Sequence, residues 1–210
     1  MKKGKEEIIG RAYEDLKILV RKYAKHDIPV LFTGEMGSGK EKFAKLYMTL
    51  STRKGKKMTT SCAGLPNDML WSEVFGHVKG AFTGAIQPRK GRLQSCDGGI
   101  LFLDELGDAS AEFQAAILRV AEGNSFSHLG SDEEEISVDT LVIAATNKPG
   151  NIREDLKQRF VILPVPPLQK FDIPTPTTIH MMSSRQWPVY VSGVRDKLDG
   201  SLSVSIRQVQ

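Results

Sequence analysis

Apolar and polar positions alternate with two different periods along most of this chain, and the switches between periods mark its elements. Ile9, Tyr13, Leu16, Val20 and Tyr23 recur every three or four residues, which predicts an amphipathic helix over residues 5–25. Ile28, Val30, Leu31 and Phe32 form a short apolar run before a glycine-rich loop, as a buried strand over 28–32 does. Phe43, Leu46, Tyr47 and Leu50 restore helical spacing over 41–50. A second strand is expected at 57–62, and a short helix at 67–75 with Asn67 as its candidate cap. Residues 98–105 carry Ile100, Leu101, Phe102 and Leu103 in succession, apolar on both faces as the interior of a parallel sheet requires. Phe113, Ala116, Ile117 and Val120 predict a helix over 109–122. Alternation around Gly130-Ser131-Asp132 predicts a β-hairpin insertion over 124–139. A buried strand at 141–147, a short helix at 151–159 and a last strand at 160–165 complete the series. Strands alternating with helices predict an α/β fold, a three-layer sandwich with a parallel central sheet and helices on both faces.

The texture changes near Pro174. Prolines at 174, 176 and 188 interrupt a Ser/Thr-rich stretch without helical period, and only a weak alternation returns through Leu202, Val204, Ile206 and Val209. The expected organisation is one domain over 1–173 and a divergent or partly disordered tail over 174–210. With 40% hydrophobic residues the chain can bury a core, which separates it from disordered sequences. The net charge of +4 is scattered: Lys2, Lys3, Lys5 and the basic run 53–57 are offset by the acids at 132–135. No aromatic residues interleave the basic runs, so these read as solvated faces rather than a nucleic-acid groove. Cys62 and Cys96 stand far apart in no metal-binding spacing and are expected as reduced thiols in a cytoplasmic protein. No apolar run reaches the roughly 18 residues of a membrane span, so no membrane partner is expected.

Candidate chemistry begins in the loop after the first strand. Gly34-Glu35-Met36-Gly37-Ser38-Gly39-Lys40 fits the phosphate-binding pattern of two glycines bracketing four residues and followed by lysine. Glycines let backbone N–H groups turn toward phosphate oxygens, the next helix directs its positive end at them, and Lys40 supplies a point charge. Glu41 follows where Ser or Thr usually ligates Mg²⁺. The strand at 98–105 ends in Asp104 and Glu105; in phosphate-loop enzymes a metal-binding acid and a water-activating acid occupy such a strand end, suiting Asp104 and Glu105 respectively. Asn147 ends the next buried strand and is placed to orient water or sense a phosphate. Between these signals lies Phe75–Ala85, rich in glycine, with Phe82 as an exposed-looking aromatic and no catalytic group of its own.

Together, residues 34–41, 80–85, 98–105 and 144–147 resemble the AAA+ ATPase domain of bacterial sigma-54-dependent transcriptional activators, over about residues 8–174. The most specific part is Gly80-Ala81-Phe82-Thr83-Gly84-Ala85. Glu41 after Lys40 also matches that family's phosphate loop. The resemblance implies binding of ATP and Mg²⁺, with Gly34–Lys40 and Glu41 at the phosphates, Ile9 near the adenine and Asp104 at the metal. It implies Glu105 as the group that activates water and Asn147 as a sensor. Arg153 and Arg159 match arginines that reach a neighbour's nucleotide, hence a homo-oligomer, expected as a hexameric ring. Residues 80–85 would contact sigma-54 on RNA polymerase, with Phe82 and Thr83 at the tip. The implied function is ATP hydrolysis that remodels this polymerase toward the open promoter complex. The alternative is a non-hydrolysing nucleotide-binding module, a truncated activator, that modulates complete activators or sigma-54. Ser61 stands where the family has an Asn contacting the catalytic Glu, and after Pro174 the likeness to the family's helical lid stops. No helix-turn-helix is seen, so no direct DNA-binding domain is expected in the chain.

Overall fold

A computed structural model describes residues 11–82, 84–123, 125–131 and 136–167. The expected 173/174 boundary, the tail and Ile9 lie outside them. Helix α1 (Arg11–Lys25) leads to β1 (Val30–Thr33), the phosphate loop and α2 (Lys40–Leu50). Then come β2 (Lys57–Ser61), α3 (Asn67–Val74), the two-residue strands β3 (Gly76–His77) and β4 (Arg89–Lys90), and α4 (Arg92–Ser95). After β5 (Ile100–Asp104) come α5 (Ala111–Gly123), β6 (Ser125–Phe126), β7 (Ile136–Ser137), β8 (Leu141–Thr146), α6 (Glu154–Lys157) and β9 (Val161–Pro164).

Five strands form a parallel sheet in the order β2-β5-β8-β1-β9. Successive side chains of a strand point to opposite faces, and β5 shows the result. Ile100 and Phe102 pack with Val30, Phe32 and Ile143 beneath α1 and α2, whereas Leu101 and Leu103 pack with Leu31, Val142 and Phe113 on the side of α3 and α5. Both faces are therefore core, and continuous apolar runs are the sequence form such strands must take. Each fully buried large apolar side chain contributes about 1.5–3 kcal/mol.

The two insertions are built against one another. The first is the β3–β4 hairpin, with His77 opposite Arg89, which carries residues 80–85 and which the periodicity did not predict. The second is the β6–β7 pair, where the expected hairpin is found. Leu129 of the second insertion brackets His77: its N–H donates to Gly76 O at 3.1 Å, and its carbonyl accepts from Val78 N–H at 3.2 Å.

Several predicted boundaries are corrected. Asn67 is the first residue of α3 rather than its cap; Pro66 precedes the helix without a side-chain cap. The helix expected over 151–159 splits into a 3-10 turn, Pro149–Asn151, and the single turn of α6, because Ile152 and Arg153 take extended conformations between them. Arg159 consequently falls beyond the helix end. The strand expected over 98–105 starts at Ile100 and stops at Asp104, since Gly98 and Glu105 both have positive φ.

Candidate functional site

Parallel strands gather their C-terminal ends at one edge of the sheet, where α/β folds place ligands. Here that edge brings together the loop after β1, the end of β5 and the end of β8. The loop turns through Gly37 and Gly39, whose φ values of 80° and 96° disfavour any residue with a Cβ. Nothing lies within 4 Å of where a Cβ would stand at either glycine, so the loop has an open side. Glu35 and Met36 are exposed at its crest, and Ser38 is buried beneath them. Lys40 is 5% exposed, and its Nζ donates to Gly34 O at 2.9 Å and Glu35 O at 3.1 Å. Glu41 turns outward and pairs with Lys45 at 2.8 Å, away from the loop's interior.

Asp104 and Glu105 face this loop. Glu105 takes a left-handed conformation, φ 51° and ψ 47°. In a residue bearing a Cβ this costs about 1–2 kcal/mol and is kept only where the surroundings hold it. Three contacts do so here. Its N–H donates to Asp104 Oδ1 at 3.0 Å, its Oε2 accepts from Asn147 N–H at 2.9 Å, and its Oε1 lies 3.6 Å from Lys40 Nζ. Burial, then the Glu105 charge, raises the Asp104 pKa above the ordinary carboxylate value. Asn147 thus meets Glu105 through its backbone amide rather than its side chain, and its Oδ1 is buried without a hydrogen-bond partner among the described residues.

Ser61 does not reach Glu105. Its Oγ accepts from Ala63 N–H at 3.3 Å, at the exposed end of an edge strand. Arg153 and Arg159 do not join the cluster either. Arg153 Nε donates to Asp155 at 3.0 Å, and Arg159 pairs with Glu122 at the end of α5.

On either side of residue 83 the backbone is tied together: Gly80 N–H donates to Ala85 O and Ala85 N–H to Phe82 O, both at 2.9 Å. Ala81 N–H donates to Val78 O at 3.3 Å, Gly84 is exposed and Ala85 is buried. Phe82 is half-buried, not exposed, and its ring stands edge-on to His77 at 5.1 Å. Thr83 lies outside the described residues.

Two residues join this architecture that sequence reading left out. Tyr13, recognised only as a core position of α1, donates its hydroxyl to Pro166 O at 2.7 Å and lies 3.3 Å from Ser38 O. His77 sits in the middle of the first insertion. Helical spacing revealed Tyr13's burial, but no local pattern encodes a hydrogen-bond partner 153 residues away.

A five-stranded parallel sheet with a lysine-ended glycine loop after its first strand and an acid pair at the end of a neighbouring strand defines a phosphate-loop nucleotide-binding α/β domain. The sequence matches the Sigma-54 interaction domain over residues 8–165, and the chain belongs to that family, the AAA+ domain of bacterial enhancer-binding proteins. Among its relatives, the Nif-specific regulatory protein of Enterobacter agglomerans is 43% identical over 172 residues, covering 77% of this chain and 33% of that protein. The anaerobic nitric oxide reductase transcription regulator NorR of Aliivibrio fischeri is 43% identical, covering 78% of this chain and 34% of that one. NtrX from Brucella abortus, solved in complex with ATP, superposes with a TM-score of 0.66 at 30% identity, over 76% of this chain and 37% of NtrX. The chain thus spans about a third of the length of the curated relatives it matches.

Proposed function

We propose that this chain binds and hydrolyses ATP and uses the cycle to remodel sigma-54 RNA polymerase through residues 80–85, favouring open-complex formation. One observation carries the reading: Lys40 Nζ and Glu105 Oε1, from separate elements, meet at 3.6 Å beside the open side of the glycine loop. The residues present fit the nucleotide. The amides of Lys40 and Glu41 start a helix and have no intrahelical acceptor, and Gly37 and Gly39 leave room for phosphate oxygens. They fit Mg²⁺ as well. That ion is commonly held by one or two carboxylates together with substrate phosphates, so Asp104 suffices although the described residues contain no three-membered metal cluster.

In this reading Lys40 exchanges its two loop carbonyls for phosphate oxygens, and Asp104, ionised, holds the metal. A metal held there would neutralise charge on the phosphates. Glu105 accepts a proton from the attacking water, with Asn147 N–H keeping its carboxylate in place. Arg153 and Arg159 act on a neighbouring subunit's site in a homo-oligomeric ring, proposed as a hexamer. The proposed location is the cytoplasm. No helix among the described residues is long and apolar enough to cross a membrane.

ATP turnover measured against protein concentration, together with sizing, tests this. Turnover per chain should rise with concentration and vanish in Lys40→Ala and Glu105→Gln; a parent chain with no turnover at high concentration would overturn it. A second reading, a non-hydrolysing module that modulates complete activators, is favoured by Ser61, whose hydroxyl is engaged at Ala63 and leaves Glu105 without that neighbour. It predicts nucleotide binding without turnover.

A further inference from the structure

His77 is buried at the centre of the first insertion, 8% exposed, and none of the roles above uses it. Its ring meets the helix before that insertion and two parts of the insertion itself. Nδ1 lies 2.7 Å from Ser72 Oγ in α3, on the way in. Nε2 lies 2.9 Å from Gln87 O, on the way out. The Phe82 ring, from the loop itself, stands against it at 72° with centroids 5.1 Å apart. A carbonyl only accepts, so Nε2 carries a proton, and in the neutral imidazole Nδ1 accepts from the Ser72 hydroxyl. Both ring nitrogens are thereby used, which fixes the imidazole in one orientation before Phe82 reaches it.

We propose that His77 is a positioning residue that holds loop 80–85 folded back by receiving the Phe82 ring, with Ser72 setting the imidazole's orientation. The inference rests on the reading of this loop as the domain's output. A ring half-buried on its own domain offers a partner only part of its surface, and leaving His77 would present the rest. An edge-to-face contact is weak enough to be broken by a modest rearrangement and strong enough to bias the resting position. The backbone beside the ring is itself tied down: Gly80 N–H donates to Ala85 O, and Ala85 N–H to Phe82 O. Gln87 lies outside residues 80–85, so the contact that holds Nε2 is not made by the loop itself.

Chymotryptic cleavage of the full chain at the Phe82–Thr83 bond, followed by mass spectrometry, tests the assignment without any partner. His77→Ala should accelerate cleavage at that bond about tenfold, the factor equivalent to losing one contact of this kind, while nucleotide affinity and cleavage within α3 stay unchanged. Ser72→Ala, which removes only the donor to Nδ1, should move the rate in the same direction by less. Unchanged cleavage in folded His77→Ala overturns the proposal, and so does an equal rise throughout residues 67–90, which would make His77 a general brace of the hairpin. If His77→Ala does not fold, Ser72→Ala decides by the same criteria. Sigma-54 binding by Phe82→Ala is measured separately. Undiminished binding there, with a freed loop in His77→Ala, would defeat the output reading and leave the latch standing.

Discussion

Asp104 shows how a single side chain trades stability for readiness. Burial and the adjacent Glu105 charge both oppose its ionisation, so its folded-state pKa lies above the unfolded one. The native state then binds the proton more tightly than the unfolded chain does. The destabilising contribution is fully present above the folded pKa and is relieved as pH falls through that value toward the ordinary unfolded one. Asp104→Asn should therefore raise the melting temperature of the nucleotide-free chain near neutral pH, by about 2–4 °C for each kcal/mol relieved, while abolishing Mg²⁺-dependent turnover. A lowered melting temperature would show that the ionised carboxylate stabilises the domain instead. The same two influences act on Cys62 with a different result. Its thiol is pushed up to about 12 chiefly by burial and then by the Asp104 charge, which leaves it protonated and inert at neutral pH.

At the scale of elements, the long apolar strands and the helices with unbroken period were legible because burial on one or two faces is written directly into spacing. Residues 141–147 and β8 (Leu141–Thr146) differ by one position. The elements that escaped are short. The β3–β4 hairpin has two residues a side and draws its stability from Leu129 of the other insertion, a contact that no local window contains. The acid pair and the glycine loop were legible as motifs, but the left-handed turn at Glu105 that joins them was not. The dependence of one insertion on the other is testable at Gly130. Its φ is 76°, and a Cβ there would stand 2.8 Å from the Ala81 Cβ, two residues from the middle of loop 80–85. Gly130→Val should cost about 1–3 kcal/mol of stability through backbone strain and overpacking. It should also speed amide exchange at Ala81 and Ala85 while leaving exchange in β1 and β5 unchanged. Loss of protection in the central sheet as well would contradict the local character of the contact.

Across the whole molecule, the groups proposed for catalysis divide into a set complete within one chain and a set that is not. Lys40, Asp104, Glu105 and Asn147 converge, whereas Arg159 is 51% exposed and spends its charge on Glu122 of its own chain. An exposed pair of this kind contributes about 0–1 kcal/mol, so a neighbouring subunit's nucleotide can compete for the guanidinium. Arg159→Ala should lower turnover by about 10³-fold or more with nucleotide affinity of the isolated chain unchanged. Glu122→Ala should leave the fold intact and shift the onset of turnover to lower protein concentration. If Arg159→Ala hydrolyses as fast as the parent chain, the arginine belongs to the surface alone.

Tyr13 places a constraint on any such cycle. One hydroxyl proton is shared between the carbonyl of Pro166, just after β9, and the neighbourhood of the Ser38 carbonyl inside the phosphate loop. Whatever displaces the backbone at Pro166 alters the environment of that loop, and whatever fills the loop alters the hold on Pro166. Equilibrium coupling of this kind is reciprocal: the factor by which nucleotide binding changes the equilibrium of the Tyr13–Pro166 bond is the factor by which that bond changes the affinity for nucleotide.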